Sequence, residues 1–155
     1  MKVSTRCRYA TLALFDIAFH GRGELTQVRL IAERQGIPPR FLEQVFQDLK
    51  RAKLVDGKRG RNGGYFLKRR PEEISLLDII LATDGPFDER TSSTSTKDQT
   101  QGPPTRNLRP VPSIIWSEVM VKIQAVYASY TLADLVTLAE QSGLNRGSAG
   151  YMYFI

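Results

Sequence analysis

The sequence is poor in the residues that carry covalent and metal chemistry. It has one cysteine, Cys7, which excludes an intramolecular disulfide, and one histidine, His20, so a single chain supplies no ordinary soft-metal cage. No apolar run reaches the roughly 18 residues of a membrane span. Ser4, Thr5, Arg6 and Arg8 stand where a secretory apolar region would need to be. These absences predict a soluble, cytoplasmic protein. They also argue against an enzyme, because one Cys and one His assemble neither a nucleophile with its base nor a metal site, and no phosphate-binding loop is present. The 155 residues, 41% of them hydrophobic, suffice for one compact core and one further element.

Charge is present and unevenly placed. Residues 1–70 hold 16 Lys/Arg against 6 Asp/Glu, a net +10, whereas residues 71–155 hold 6 against 10, a net −4. The footprint for a polyanion therefore lies wholly on the first half.

That half is organised around the stretch from Leu25 to Tyr65. Thr26 is a candidate N-cap for a short helix to Gln35, with Val28, Ile31 and Ala32 on its apolar face. Gly36 ends it, and Ile37, Pro38 and Pro39 make a tight turn, since Gly tolerates a left-handed cap and Pro fits the first turn of the next helix. The second helix is expected from Pro39 to about Lys53. Phe41, Leu42, Val45, Leu49 and Ala52 form its buried face, and Arg40, Glu43, Gln44, Gln47, Lys50 and Arg51 point outward. Leu54-Val55 and Tyr65-Phe66-Leu67 then read as short strands on either side of a tip, residues 56–64, that carries three cations and four glycines. Two helices, a glycine turn and a cationic hairpin read as a winged helix-turn-helix for DNA.

Around this unit, Ser4 is a candidate N-cap for a helix to about His20 with Tyr9, Ala10, Ala13, Leu14, Ile17 and Ala18 on its apolar face. Arg6 and Arg8 oppose the helix dipole in its first turn. Two readings stay open for them, contact with a DNA phosphate or simple solvation. Cys7 also has two readings: a thiol with lowered pKa between two arginines, hence a redox candidate, or a small core residue, the commoner fate of a free cysteine. His20, at a helix end, reads as a capping or surface residue.

Ser75-Leu76-Leu77-Asp78 matches a capping box and predicts a short helix to about Thr83. Residues 88–112 are almost devoid of apolar side chains and read as a mobile loop. From Pro112 or Ser113 to about Tyr130, Ile115, Val119, Ile123 and Val126 form one ridge with Trp116, Met120 and Tyr127 beside it. That is more apolar surface than one packed face accounts for, and its natural mate is the same helix of a second chain. Thr131-Leu132-Ala133-Asp134 is a second capping box, opening a helix that ends near Gly143. Tyr151-Met152-Tyr153-Phe154-Ile155 is an apolar run that either packs back on the dimer or meets a partner. The expected architecture is mostly α with a small β-hairpin wing. Residues 1–87 form the winged helix-turn-helix domain, 88–112 a flexible loop, 113–143 a long dimerisation helix with the helix after it, and 144–155 a tail.

The segments Ser4-Thr5-Arg6-Cys7-Arg8-Tyr9-Ala10, Ile31-Ala32-Glu33-Arg34-Gln35-Gly36-Ile37, Phe41-Leu42-Glu43-Gln44, Arg59-Gly60-Arg61-Asn62-Gly63-Gly64-Tyr65 and Tyr130-Thr131-Leu132-Ala133-Asp134-Leu135 resemble the Rrf-two superfamily of bacterial winged-helix regulators. The resemblance implies a homodimer on double-stranded DNA with an imperfect palindrome. It implies base contacts from Glu43 and Gln44, minor-groove contact from Arg59, phosphate contacts from Arg40 and Arg61, and close approach to DNA at Gly63 and Gly64. Family members that hold an iron–sulfur cluster carry three cysteines in the loop that here spans 88–112. This loop has none, and Cys7 stands where the family usually has Gly. The resemblance is therefore to the cluster-free branch that represses cysteine metabolism. No cofactor is expected, and Tyr153, Phe154 and Ile155 are expected to meet cysteine synthase, whose active site accepts a C-terminal isoleucine carboxylate. A thiol-responsive regulator working through Cys7, or a scaffold of the same fold that has lost DNA binding, are the alternatives. The cations Arg59 and Arg61, which folding does not require, argue against the scaffold.

Overall fold

The computed structural model of the chain describes residues 3–21, 23–60, 62–87 and 110–144, with side chains from residue 114 onward in the last stretch. Among these residues six α-helices and one hairpin are formed: α1 Thr5–His20, α2 Val28–Gln35, α3 Pro39–Arg51, β1 Val55–Lys58, β2 Gly64–Leu67, α4 Leu76–Thr83, α5 Pro110–Ser129 and α6 Leu132–Gln141. A 3-10 turn, Pro71–Glu73, precedes α4.

Local signals set most boundaries. Ser4 Oγ accepts the Cys7 N–H at 3.0 Å, starting α1. Both predicted capping boxes form, with Ser75 and Asp78 exchanging bonds at the start of α4 and Thr131 and Asp134 at the start of α6. Hydrogen bonds donated by the Thr131 backbone N–H, at 2.7 Å, and by its hydroxyl hold the Asp134 carboxyl below the usual carboxylate range. Gly36, at φ +63°, supplies the left-handed cap of α2.

The start of α2 differs from expectation. Thr26 is buried and caps nothing, because its N–H and C=O pair with Tyr65 at 2.8 and 2.9 Å and so add a third, one-residue rung to the hairpin. Tertiary pairing takes the residue out of the helix, which begins at Val28 with Gln27 before it. α3 ends at Arg51 rather than Lys53, where a positive φ of 59° at Lys53 turns the chain into β1. α5 begins at Pro110, a little before the expected start.

The core is built from α1, which touches α2, α3, α4, α6 and β2. Leu14 and Ile17 of α1 meet Ile31, Leu42, Val45, Phe46 and Leu49 from the helix pair. α6 belongs to the same core, since Leu132 and Ala139 are buried in it. An antiparallel bridge between Ser75 and Thr131 ties the α5–α6 junction to the start of α4. α5 touches the rest mainly through α4, and its side chains Ile114, Ile115, Trp116, Val119, Val121 and Val126 are exposed. No helix among the described residues is long and apolar enough to cross a membrane.

Candidate nucleic-acid interface

α3 separates a buried face from an exposed polar one, with Phe41 exposed and Asp48 buried as exceptions. Leu42, Val45, Phe46, Asp48 and Leu49 are buried, and Arg40, Glu43, Gln44, Gln47, Lys50 and Arg51 are exposed. The predicted outward set is therefore on the surface. The predicted inward set needs two corrections. Phe41 is 40% exposed, and Phe46, absent from the expected face, is fully buried. The buried face takes in Phe46 in place of Phe41, and Phe46 stacks on Tyr65 of β2 with ring centroids 4.1 Å apart and planes at 5°. That stack fixes the wing against α3.

The wing is narrower than the sequence suggested. Asp56, Gly57 and Lys58 pair with Phe66, Tyr65 and Gly64 as strand residues, leaving 59–63 for the turn. Gly60 sits at φ +120°, and the Gly63 N–H donates to its carbonyl at 2.9 Å. Arg59 is exposed at this tip, and Arg61 lies outside the described residues. Gly64 is required by the fold itself, since a Cβ there would lie 2.5 Å from the Thr26 carbonyl oxygen. Gly63 is likewise closed in by the Lys58 carbonyl. Asp56 folds back on the hairpin, where the Gly57 N–H and then Lys50 hold its carboxyl below the usual range.

Two acidic residues inside the core position the helix pair, and the sequence reading passed over both. Asp16 of α1 has no exposed surface and accepts from Arg34 Nε at 2.9 Å, Arg34 Nη2 at 2.5 Å and Gln35 Nε2 at 3.0 Å, so the end of α2 is pinned to α1. Asp48 of α3 pairs with Arg6 of α1 and with Arg51. Arg6, whose side chain is half exposed, thus has an anion of the fold beside it and is not simply solvated. The signal was present in outline: Asp16 and Asp48 fall at core spacing on their helices, and a carboxylate there demands a cation.

With those cations paired, Arg40 at the start of α3 and Lys58 and Arg59 on the wing form no ion pair among the described residues. Arg40 stands one turn before Glu43 and Gln44 on the same helix, and Lys58 and Arg59 lie on the hairpin that Phe46 and Lys50 tie to α3. The surface can offer paired donors and acceptors to base edges and point charges to a phosphate backbone.

Cys7 is 2% exposed, and burial pushes its thiol up despite hydrogen bonding with Thr83 and Thr11. One Cys and one His do not fit a cysteine-ligated cluster, and no group of three or more metal-ligating side chains occurs among the described residues. Tyr153, Phe154 and Ile155 lie outside the described residues. An apolar groove of about 540 Å³ runs between α1, α4, α5 and α6 past Leu12, Leu76, Ile80 and Tyr127. A second cavity of about 390 Å³ shares Thr11, Leu12 and Leu135 with it.

The chain is similar to known regulators over most of its length. It is 34% identical over 141 residues to the HTH-type transcriptional regulator IscR of Sodalis glossinidius, covering 90% of this chain and 81% of that one. CymR, the global cysteine regulator of B. subtilis, has a structure that matches with a TM-score of 0.68 at 29% identity, covering 89% of this chain and 98% of that one. The oxidized form of Staphylococcus aureus CymR matches at 0.64 and 28%, covering 88% of this chain and 96% of that one. The model of the Rrf2 family, described as iron-dependent transcriptional regulators, matches residues 3–138. A winged helix-turn-helix with a cationic hairpin, matched along its length in this way, places the chain in the Rrf2 family of transcriptional regulators.

Proposed function

We propose that this regulator is a homodimeric, cluster-free repressor that binds an imperfect palindrome and reports on cysteine supply. Its α3 enters the major groove, where Glu43 and Gln44 meet base edges. Arg59 reaches the minor groove from the wing, Arg40 and Arg61 contact phosphates, and Gly63 and Gly64 keep the hairpin slim enough to approach the backbone. The observation that carries this reading is the exposed polar face of α3 together with Arg40 and Arg59, cations that form no ion pair among the described residues. A homodimer is supported by α5, whose apolar row the described residues leave exposed, and by the apolar groove beside it. A cluster-free state is supported by the single cysteine.

Regulation of cysteine metabolism draws on the likeness to B. subtilis CymR. It also draws on the apolar run closed by Ile155, which suits cysteine synthase as partner. The test is DNA binding to the protein's own upstream region and to cysteine-biosynthesis promoters, with and without cysteine synthase, using the full chain and a chain lacking the last five residues. The enzyme should alter binding only when Ile155 is present. An equal effect, or none, on both chains overturns the sulfur assignment while leaving DNA binding intact.

A thiol switch at Cys7 is the second reading, favoured by the existence of an oxidized form of S. aureus CymR and opposed by the burial of Cys7. Peroxide should leave DNA binding unchanged in the parent if burial governs. A peroxide response lost in Cys7→Ser would install the switch.

A further inference from the structure

The α3 positions that fill the core leave out Phe41, whose ring is instead engaged from two directions. The Arg40 guanidinium carbon lies over it, 5.2 Å from the ring centroid, and the Tyr9 ring of α1 approaches it with centroids 6.1 Å apart and planes tilted at 55°. Tyr9 packs on the hydrophobic core, so its position is set by α1 rather than by solvent.

Arg40 is otherwise poorly held. It lies in the first turn of α3, where the helix dipole is positive and a cation is disfavoured unless an anion meets it. No carboxylate supplies that anion among the described residues. A free arginine has many rotamers, and fixing one on binding costs affinity. An aromatic face removes part of that cost. It attracts the guanidinium through its π cloud while leaving the N–H donors, which lie in the guanidinium plane, available to a phosphate.

We propose that Phe41 is a positioning residue for DNA binding: its ring, supported by Tyr9, holds Arg40 ready for a backbone phosphate before DNA arrives. This rests on the DNA-binding reading of α3 and adds to it a residue that touches neither base nor phosphate.

The test uses the full-length protein and a duplex recovered by the parent protein from a random-sequence pool, titrated across a series of KCl concentrations. Four variants are compared with the parent: Arg40→Ala, Phe41→Leu, Phe41→Tyr and the double variant Arg40→Ala with Phe41→Leu. Arg40→Ala should lower the slope of log affinity against log salt by about one, the signature of one lost phosphate contact. Phe41→Leu should weaken binding about five-fold, within the range of a single cation–π contact, and move the slope toward that of Arg40→Ala. Phe41→Tyr should restore both, and the double variant should bind no worse than Arg40→Ala alone. Thermal unfolding of Phe41→Leu should match the parent, as expected for a half-exposed side chain.

Parental affinity in Phe41→Leu beside a weakened Arg40→Ala would overturn the proposal and leave the DNA reading standing. So would losses that add in the double variant, or a loss in Phe41→Leu with the parental salt slope, which would make Phe41 a direct base contact. Failure to recover any duplex would overturn the DNA reading and this inference with it.

Discussion

α3 and α5 are both surface helices with an apolar side, yet they leave opposite chemistry uncovered. In α3 the apolar side, apart from Phe41, is spent on the core, and the remaining exposed residues are polar or charged. In α5 the situation is reversed, with Trp116 and Val121 more than 60% exposed and only part of one face covered by α4. What the described residues leave uncovered on each helix differs in kind: a polar, cationic face suited to a hydrated polyanion on α3, and an apolar face on α5 for which we propose a second apolar surface. The same contrast appears in the charge of the two halves, +10 and −4.

The contrast depends first on the packing beneath α3. Phe46→Ala should have the largest effect, because it removes a fully buried ring and its stack on Tyr65 together. A loss of about 4 kcal/mol in urea unfolding is expected, with the wing released from α3. A loss below 1 kcal/mol would mean that the hairpin is held by its ladder alone. Asp16→Asn should follow at about 3 kcal/mol, since it leaves Arg34 facing a core position without its anion. Arg34 is 21% exposed at its side chain and can regain some water, which keeps the figure at the low end.

The third test acts on the other helix. Trp116→Glu places a charge in the exposed apolar row of α5. If that row meets a second copy, sedimentation should show the variant as a monomer at concentrations where the parent is a dimer. DNA affinity should fall with it, because two half-sites would no longer be held by one particle. A variant that remains dimeric would move the interface to the α1–α6 groove and remove the contrast between the helices.

The parts of the molecule that the sequence disclosed are those written in local chemistry. Both capping boxes, the Gly36 turn and the polar face of α3 depend on neighbours within a few residues, and each is found where the pattern puts it. Contacts made across the fold were not legible. Thr26 has the composition of an N-cap, but pairing with Tyr65, 39 positions away in the chain, takes it into the hairpin. Phe46 and Phe41 exchange places because a ring on β2 selects one of them. Arg6 is indistinguishable from a phosphate-binding arginine until Asp48 is seen beside it. For the site, the exposed residues of α3 and Arg59 were read correctly as surface, while the acids that position them were missed because a charge in a buried stripe looks like an interruption of it.

The smallest expected effect asks whether the two helices belong to one cooperative unit. Ser75 and Thr131 each cap a helix, and the two residues face each other across the bridge that joins α4 to the α5–α6 junction. Ser75→Ala and Thr131→Ala should each cost about 1 kcal/mol, the usual worth of a hydroxyl cap. If the bridge and the core residues Leu132 and Ala139 make α6 part of the DNA-binding body, both substitutions should lower one and the same unfolding midpoint by similar amounts. A second transition, moved by Thr131→Ala and untouched by Ser75→Ala, would show that α5 and α6 open separately. In that case the polar face and the apolar face would belong to two bodies that open separately, despite the packing of α6 on α1.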